Sequence, residues 1–285
     1  MNDVIDVVGI SGGKDSTATA LFAIENLETP PRFVFCDTGL EAPATYEYIE
    51  YLSEKLKELT GQTVEVLKAD FSEMMARKRE RLIARGEAER AEHMYPTGVP
   101  FLDICIYAGR FPTSLSRFCT GYCKQEVIKK YLVGLSAEAN VFSWVGERAE
   151  ESRARAKKEV RETIHKNKNG NEVYIYRPIL RWKEQQCFDM LERHGIKPNP
   201  LYAQGFGRVG CFPCIMFRKN ELRMAAELYP EVVEKIKDWE ERVSLTAPAN
   251  SLSTFFHPVK CRGALGIEEA VEWSKTPFGQ RRNKK

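Results

Sequence analysis

From Ile10 to Ser16 the chain reads Ile-Ser-Gly-Gly-Lys-Asp-Ser, setting a lysine, a carboxylate and two hydroxyls around a pair of glycines. Glycines between a buried strand and a helix let backbone N–H groups close on an anion, and the helix N-terminus adds partial positive charge. Lys14 can then neutralise phosphate oxygens, and Ser11 and Ser16 can donate hydroxyl hydrogen bonds. Asp15 falls early in the helix, where a carboxylate is favourable. The string is not a Walker A loop, which needs four residues between its first glycine and the Gly-Lys pair, nor is it the dinucleotide GxGxxG. The expected chemistry is phosphate binding, with Gly12 and Gly13 at the point of closest approach.

Sulfur is the second theme. Cys119 and Cys123 are three residues apart and Cys211 and Cys214 two, while Cys36, Cys105, Cys187 and Cys261 stand alone. Four thiolates are the number that closes a tetrahedral zinc site or a 4Fe-4S iron-sulfur cluster. The turns CTGYC and GCFPC carry the glycine and proline that aim backbone amides at sulfur. Three readings stay open: an iron-sulfur cluster, Zn²⁺, or metal-free thiols that are redox-active or buried. Cys36, Cys105 and Cys187 read as small core residues. His93, His165, His194 and His257 show no zinc-ligand spacing, and His257, near Cys261, is the reserve ligand.

These residues need a scaffold, and the hydrophobic pattern supplies it. Val4–Ile10 is a β-branched apolar run, the glycines follow, and a helical pattern begins at Asp15. Further strands are expected at 32–36, 63–67 and 140–145, with helices at 43–59 and 124–133. Short apolar strands alternating with amphipathic helices imply a parallel sheet covered on both faces, so the fold class is α/β. A mostly charged helix is expected within 71–90, a mobile loop over 153–171 and a strand at 173–176. Helices at 183–193, 218–228 and 231–243 make the last third mainly helical. The expected organisation is an α/β nucleotide-binding domain over 1–180, a helical subdomain with the CxxC over 181–275, and a basic, disordered tail over 276–285.

The chain has 285 residues, 43% of them hydrophobic, enough for one sizeable core and a smaller second part. Lys plus Arg is 43 against 40 Asp plus Glu, so a net charge of +3 makes no bulk case for nucleic acid or an anionic membrane. The N-terminus lacks the pattern of a secretory leader and no stretch has membrane-spanning length. A soluble, cytoplasmic protein with reduced thiols is the expectation, with no membrane partner.

The string SGGKDST resembles the signature of the PP-loop ATP pyrophosphatases, and its place at the first strand-to-helix junction makes the resemblance specific. It implies a Rossmann-like adenine nucleotide alpha-hydrolase fold whose loop holds the phosphates beyond the alpha position, with adenosine near the end of the second strand. Asp37 occupies that place in FVFCDTGLEAPATYEYI, and Thr38 and Gly146 join the implied nucleotide-binding set. Later segments resemble the phosphoadenosine phosphosulfate (PAPS) reductase branch: DTGLEAPATYEYI, SRFCTGYCK, GERAEESRARA, RPILRW and NPLYAQGFGRVGC, in that order over most of the chain. The resemblance implies nucleotide or sulfate contacts from Arg117, Lys124, Arg148 and Arg155, oriented by Glu151 and Ser152. Arginine's fixed fork of donors suits such anions. The pattern departs from the PAPS reductases in lacking a Glu-Cys-Gly-(Leu/Ile)-His tail, and its CxxxC matches only in part the adjacent cysteine pair with which the assimilatory APS reductases bind a 4Fe-4S cluster.

The function expected from this resemblance is ATP cleavage to an adenylate and pyrophosphate, driving sulfur transfer to an acceptor. Lys14, Asp15, Arg117 and Arg148 are the expected catalytic residues, with Mg²⁺ bridging phosphates. A sulfur donor protein, a nucleic acid acceptor and a homo-oligomer are the partner expectations. One alternative is a sulfonucleotide (PAPS or APS) reductase; another is a regulatory protein that binds an adenine nucleotide without catalysis.

Overall fold

The apolar run Val4–Ile10 forms strand β1, and the other strands are β2 (Arg32–Asp37), β3 (Val64–Lys68), β4 (Asn140–Trp144), β5 (Arg161–Lys166) and β6 (Glu172–Tyr176). This computed structural model describes residues 4–248, 253–258, 261 and 263–277. Of the tail expected over 276–285, residues 278–285 lie outside the described residues. The strands form one sheet in the order β3-β2-β1-β4-β6-β5. All neighbours pair in parallel except β5, which is antiparallel to β6. The fold class is α/β, as the alternation of strands and helices implies.

The sheet is covered because its inner strands are apolar on both faces. Val8, Phe33, Phe35 and Trp144 meet Leu21, Leu52 and Met190 on one face, from the helices Lys14–Asn26, Pro43–Thr60 and Glu184–Arg193. Val7, Val34, Val141 and Val173 meet Leu132 of the helix Glu126–Leu135 on the other.

The segment 153–171, expected as a mobile loop, instead holds a short helical turn at Arg155–Lys157 and all of β5. An edge strand keeps most of its side chains in solvent, so a charged composition does not prevent its backbone from pairing. Even the turn of Asn167 to Gly170 is anchored: Asn169 Nδ2 donates to Ala137 O at 2.9 Å, and Asn171 Nδ2 to Ser136 O at 3.1 Å.

The chain divides into two compact units, each assembled from separate stretches. The first, Met1–Asp37, Glu41–Lys68 and Gln125–Gly210, contains the whole sheet. The second, Thr38–Leu40, Ala69–Lys124 and Cys211–Lys285, is helical, with an aromatic core in which Phe101 stacks on Trp239 at 5.8 Å and Phe111 meets Phe255 at 5.3 Å. Residues 181–210 therefore pack with the sheet unit, because the Glu184–Arg193 helix lies against Lys14–Asn26. The charged stretch near 71–90 is two helices, Ser72–Ala84 and Ala88–Glu92, anchored through Met75, Leu82 and Ala91. No helix among the described residues is long and apolar enough to cross a membrane.

Candidate functional site

Chain direction sets the place of the site. From β1 the chain passes to β2 and β3 on one side and later to β4 and β6 on the other, so a crevice opens at the carboxyl ends of β1 and β4. The glycine loop and Gly146 both stand there. Gly12 has φ +73°, the left-handed region, and a Cβ on it would lie 2.9 Å from Thr45 Cγ2, so conformation and space both demand glycine. Gly13 caps the Lys14–Asn26 helix, and its carbonyl accepts from Ser16 Oγ at 3.0 Å, Thr17 Oγ1 at 3.0 Å and Thr17 N at 3.1 Å. Ser11 N donates to Ser16 Oγ at 3.1 Å, which closes the loop on itself. The amides of Asp15 and Ser16 precede this first intrahelical bond and point out of the helix N-terminus. Gly146 supports the loop from β4: a Cβ there would fall 2.7 Å from the Asp15 carbonyl and 2.8 Å from Ser16 N.

Lys14 is 4% exposed, and its ammonium sits 2.9 Å from Glu184 Oε1 and 3.9 Å from Asp15 Oδ2. The rings of Tyr202 and Phe188 flank it at 4.9 and 5.8 Å. Burial works against the charge, but Tyr202, Glu184 and Asp15 outweigh it and raise the pKa of Lys14, so it is a cation at neutral pH. Asp15 Oδ1 accepts from Arg148 Nε at 2.6 Å and from the Cys187 thiol at 3.3 Å. Arg148 also donates to Glu150 at 2.6 Å. The structure thus brings Arg148 to the loop, but commits two arms of its guanidinium to carboxylates, where an anion contact was expected.

The rest of the GERAEESRARA stretch forms an ionic cluster. Glu151 accepts from Arg148 N at 3.1 Å and pairs with Arg155, whose backbone N donates to Ser152 Oγ at 3.2 Å. Glu147 is held by Lys158 and Arg177, each at 2.7 Å. Burial pushes its pKa up, but the bonds from Lys158 and Arg177 prevail and the carboxyl is held below its ordinary value. Such a group adds stability in full above its unfolded pKa and loses it as pH falls through the lower folded value. Urea midpoints taken from pH 6 down to pH 3 should therefore fall for the wild type, and less steeply for Glu147→Gln.

Asp37, at the end of β2, is buried and accepts from Tyr46 at 2.7 Å and Lys68 at 2.9 Å. Burial first, then Asp37 and Glu41, raise the Tyr46 pKa, so the phenol stays a donor. Thr38 belongs to the helical unit, where its hydroxyl lies 3.8 Å from Cys211 Sγ. Arg117 and Lys124 belong to the same unit, Arg117 exposed at the start of the short helix Phe118–Thr120.

All four paired cysteines fall in the helical unit, together with Cys105. Cys123 lies in a π-helical turn, Gly121–Gln125, and Cys214 Sγ accepts from Met216 N at 3.5 Å. Burial first, and then the charge of Cys214, push the Cys119 thiol up; burial does the same to Cys105, reinforced by Cys119 and Cys123. Sulfur donors suit iron or zinc, yet among the described residues no three Cys, His, Asp or Glu side chains are grouped as a metal site. The geometry therefore does not carry the expected cluster or zinc. Metal assays on protein purified without oxygen, beside Cys119→Ser and Cys214→Ser, test the donor set: bound iron or zinc lost in both variants would show that each cysteine pair contributes a donor.

Several residues at the loop escape sequence reasoning. Tyr202 Oη receives the Lys14 amide at 3.0 Å, and Asn199, buried, accepts from Leu201 N at 3.0 Å. Both lie in the NPLYAQGFGRVGC stretch that carries part of the resemblance, where neither was given a role. Glu184 and Cys187 carried no signal beyond a helix. Cys187 is buried as expected but bonds Asp15 instead of merely filling space, and Cys36 is only half-buried. Aromatic side chains of the strands pack against one another, with Trp144 edge-on to Tyr176 at 4.7 Å.

The family model for the phosphoadenosine phosphosulfate reductase domain matches residues 6–97 and 105–216. An uncharacterised 37.8 kDa protein of Escherichia phage 186 is 39% identical over 272 residues, 88% of this chain and 79% of that one. An adenosine 5'-phosphosulfate reductase of Allochromatium vinosum is 36% identical over 97 residues, 34% of each chain. Among solved structures, a PAPS reductase from Candida auris in a phosphate complex is similar at 15% identity and a TM-score of 0.44, covering 75% of this chain and 83% of that one.

Proposed function

The chain belongs to the phosphoadenosine phosphosulfate reductase domain family, and from that premise we propose that it binds ATP or a related adenine nucleotide at Ser11–Ser16 and splits it to an adenylate and pyrophosphate, driving sulfur transfer to an acceptor. The observation that carries this reading is the loop at the crevice between β1 and β4, with Gly12 in the left-handed region and a charged Lys14 behind it. An acceptor oxygen attacks the alpha phosphorus, the bond to the bridging oxygen breaks, and pyrophosphate departs with the electron pair. The amides of Asp15 and Ser16 and the Lys14 ammonium meet the charge developing on that leaving group. Mg²⁺ arriving with the nucleotide would supply further charge stabilisation to the leaving pyrophosphate, beside that of Lys14 and the loop amides. Asp37 and Gly146, at the ends of β2 and β4, line the nucleotide end of the crevice in this reading. Arg148 acts by fixing Asp15 and the loop. Arg117 and Lys124, in the helical unit, enter no step of this reading, and no step runs through the thiols.

Similarity to the Allochromatium reductase supports a second reading, reduction of a sulfonucleotide in the same crevice. Incubation with ATP, Mg²⁺ and an acceptor panel that includes nucleic acid, in parallel with PAPS and APS plus a dithiol, separates the two. Pyrophosphate release supports the first and sulfite release the second. Tight nucleotide binding with neither product would replace both by a regulatory role.

A further inference from the structure

A lysine serving a phosphate loop must give its charge to the ligand, yet the Lys14 ammonium is enclosed by two carboxylates and two rings. The carboxylates are not equivalent. Asp15 is pinned by Arg148 at 2.6 Å and by the Cys187 thiol at 3.3 Å, and its side chain is largely shielded from solvent. Glu184 is 55% exposed, and the only bond of its side chain seen among the described residues is the one to Lys14 at 2.9 Å. Returning Glu184 to water costs little, because more than half of it is already hydrated, whereas stripping Asp15 from Arg148 would leave a shielded charge unpaired. Glu184 also begins its helix, and its backbone N donates to Glu150 at 3.1 Å, so the side chain can swing while its Cα stays fixed.

We infer that Glu184 is a specificity-determining counter-ion, which occupies Lys14 between ligands and exchanges with the terminal phosphates of an incoming nucleotide. This rests on the loop being the phosphate site. Any anion that recruits Lys14 must displace this carboxylate. A polyphosphate replaces it with several charges and further bonds to the loop amides, whereas a small anion recovers less than the Glu184 contact it breaks. Glu184 thereby sets a threshold of charge for occupancy of the loop.

Calorimetric titration with inorganic pyrophosphate and with ATP tests the exchange on the full chain. Glu184→Gln keeps the shape and removes the competing charge, so pyrophosphate should bind roughly fivefold more tightly, the size expected for a partly exposed ion pair. The gain should vanish in a Lys14→Met background, which closes a double-mutant cycle on this one contact. Thermal melts confirm folding, and Glu184→Ala stands in should the glutamine variant fail to fold. Unchanged or weaker pyrophosphate binding in Glu184→Gln, or a gain that survives loss of Lys14, overturns the inference and leaves the loop reading intact. Failure of the wild type to bind either ligand overturns both.

Discussion

Replacing Lys14 by alanine should lower kcat/KM for pyrophosphate release by about 10²–10³, the range seen when one preorganised donor to a developing oxyanion is removed. The ammonium is held by Glu184 and between Tyr202 and Phe188 before any ligand arrives, so its loss is not made good by solvent. Folding should survive, since Glu184 is more than half exposed and Asp15 keeps its bond to Arg148. Arginine should rescue poorly, because a planar guanidinium cannot take the place of a compact ammonium in that enclosure. Pyrophosphate release measured against melting temperature checks both halves, and near-wild-type turnover in the alanine variant would remove Lys14 from the chemistry.

A second substitution should weaken binding through a single carbon. In Gly146→Ala the new Cβ would meet the Asp15 carbonyl at 2.7 Å and Ser16 N at 2.8 Å, and these are backbone atoms that cannot rotate away. The helix N-terminus must shift, carrying with it the two amides aimed at the phosphates. Nucleotide affinity should fall at least about tenfold, with a loss of roughly 1–3 kcal/mol of stability as in other overpacked sites. Gly134→Ala is the internal control. It lies in the Glu126–Leu135 helix with nothing within 4 Å of the added carbon, and there alanine should stabilise by about 0.5–1 kcal/mol. Calorimetry and melts on the pair separate crowding at the loop from a general intolerance of alanine.

The sheet and its loop were legible because their signals are local. Val4–Ile10 and Arg32–Asp37 are apolar runs that a buried parallel strand requires, and Gly12 marks a backbone no other residue adopts cheaply. β5 was illegible for the opposite reason: Arg161–Lys166 sits on an edge, needs no apolar face, and so has the composition of a loop. The helix Pro100–Ala108 went unread because burial on nearly all sides erases the 3.6-residue period. Within the site, Lys14, Asp15 and Arg148 were identifiable by type, but their pairing was not. That Arg148 spends itself on Asp15 and Glu150 depends on residues 133 positions away and two positions away respectively, and composition ranks neither above a phosphate.

The bond from the Lys14 amide to Tyr202 Oη spans 188 positions of chain. As the polypeptide is synthesised, β1 and its glycines appear well before the glutamate and the tyrosine that complete the enclosure, which follow more than 160 residues later. Contacts of such separation pay a large loop-closure entropy and form late. A nascent chain halted anywhere before Glu184 therefore exposes the glycine loop without its counter-ion or its aromatic walls. The loop is made well before it can become a binding site.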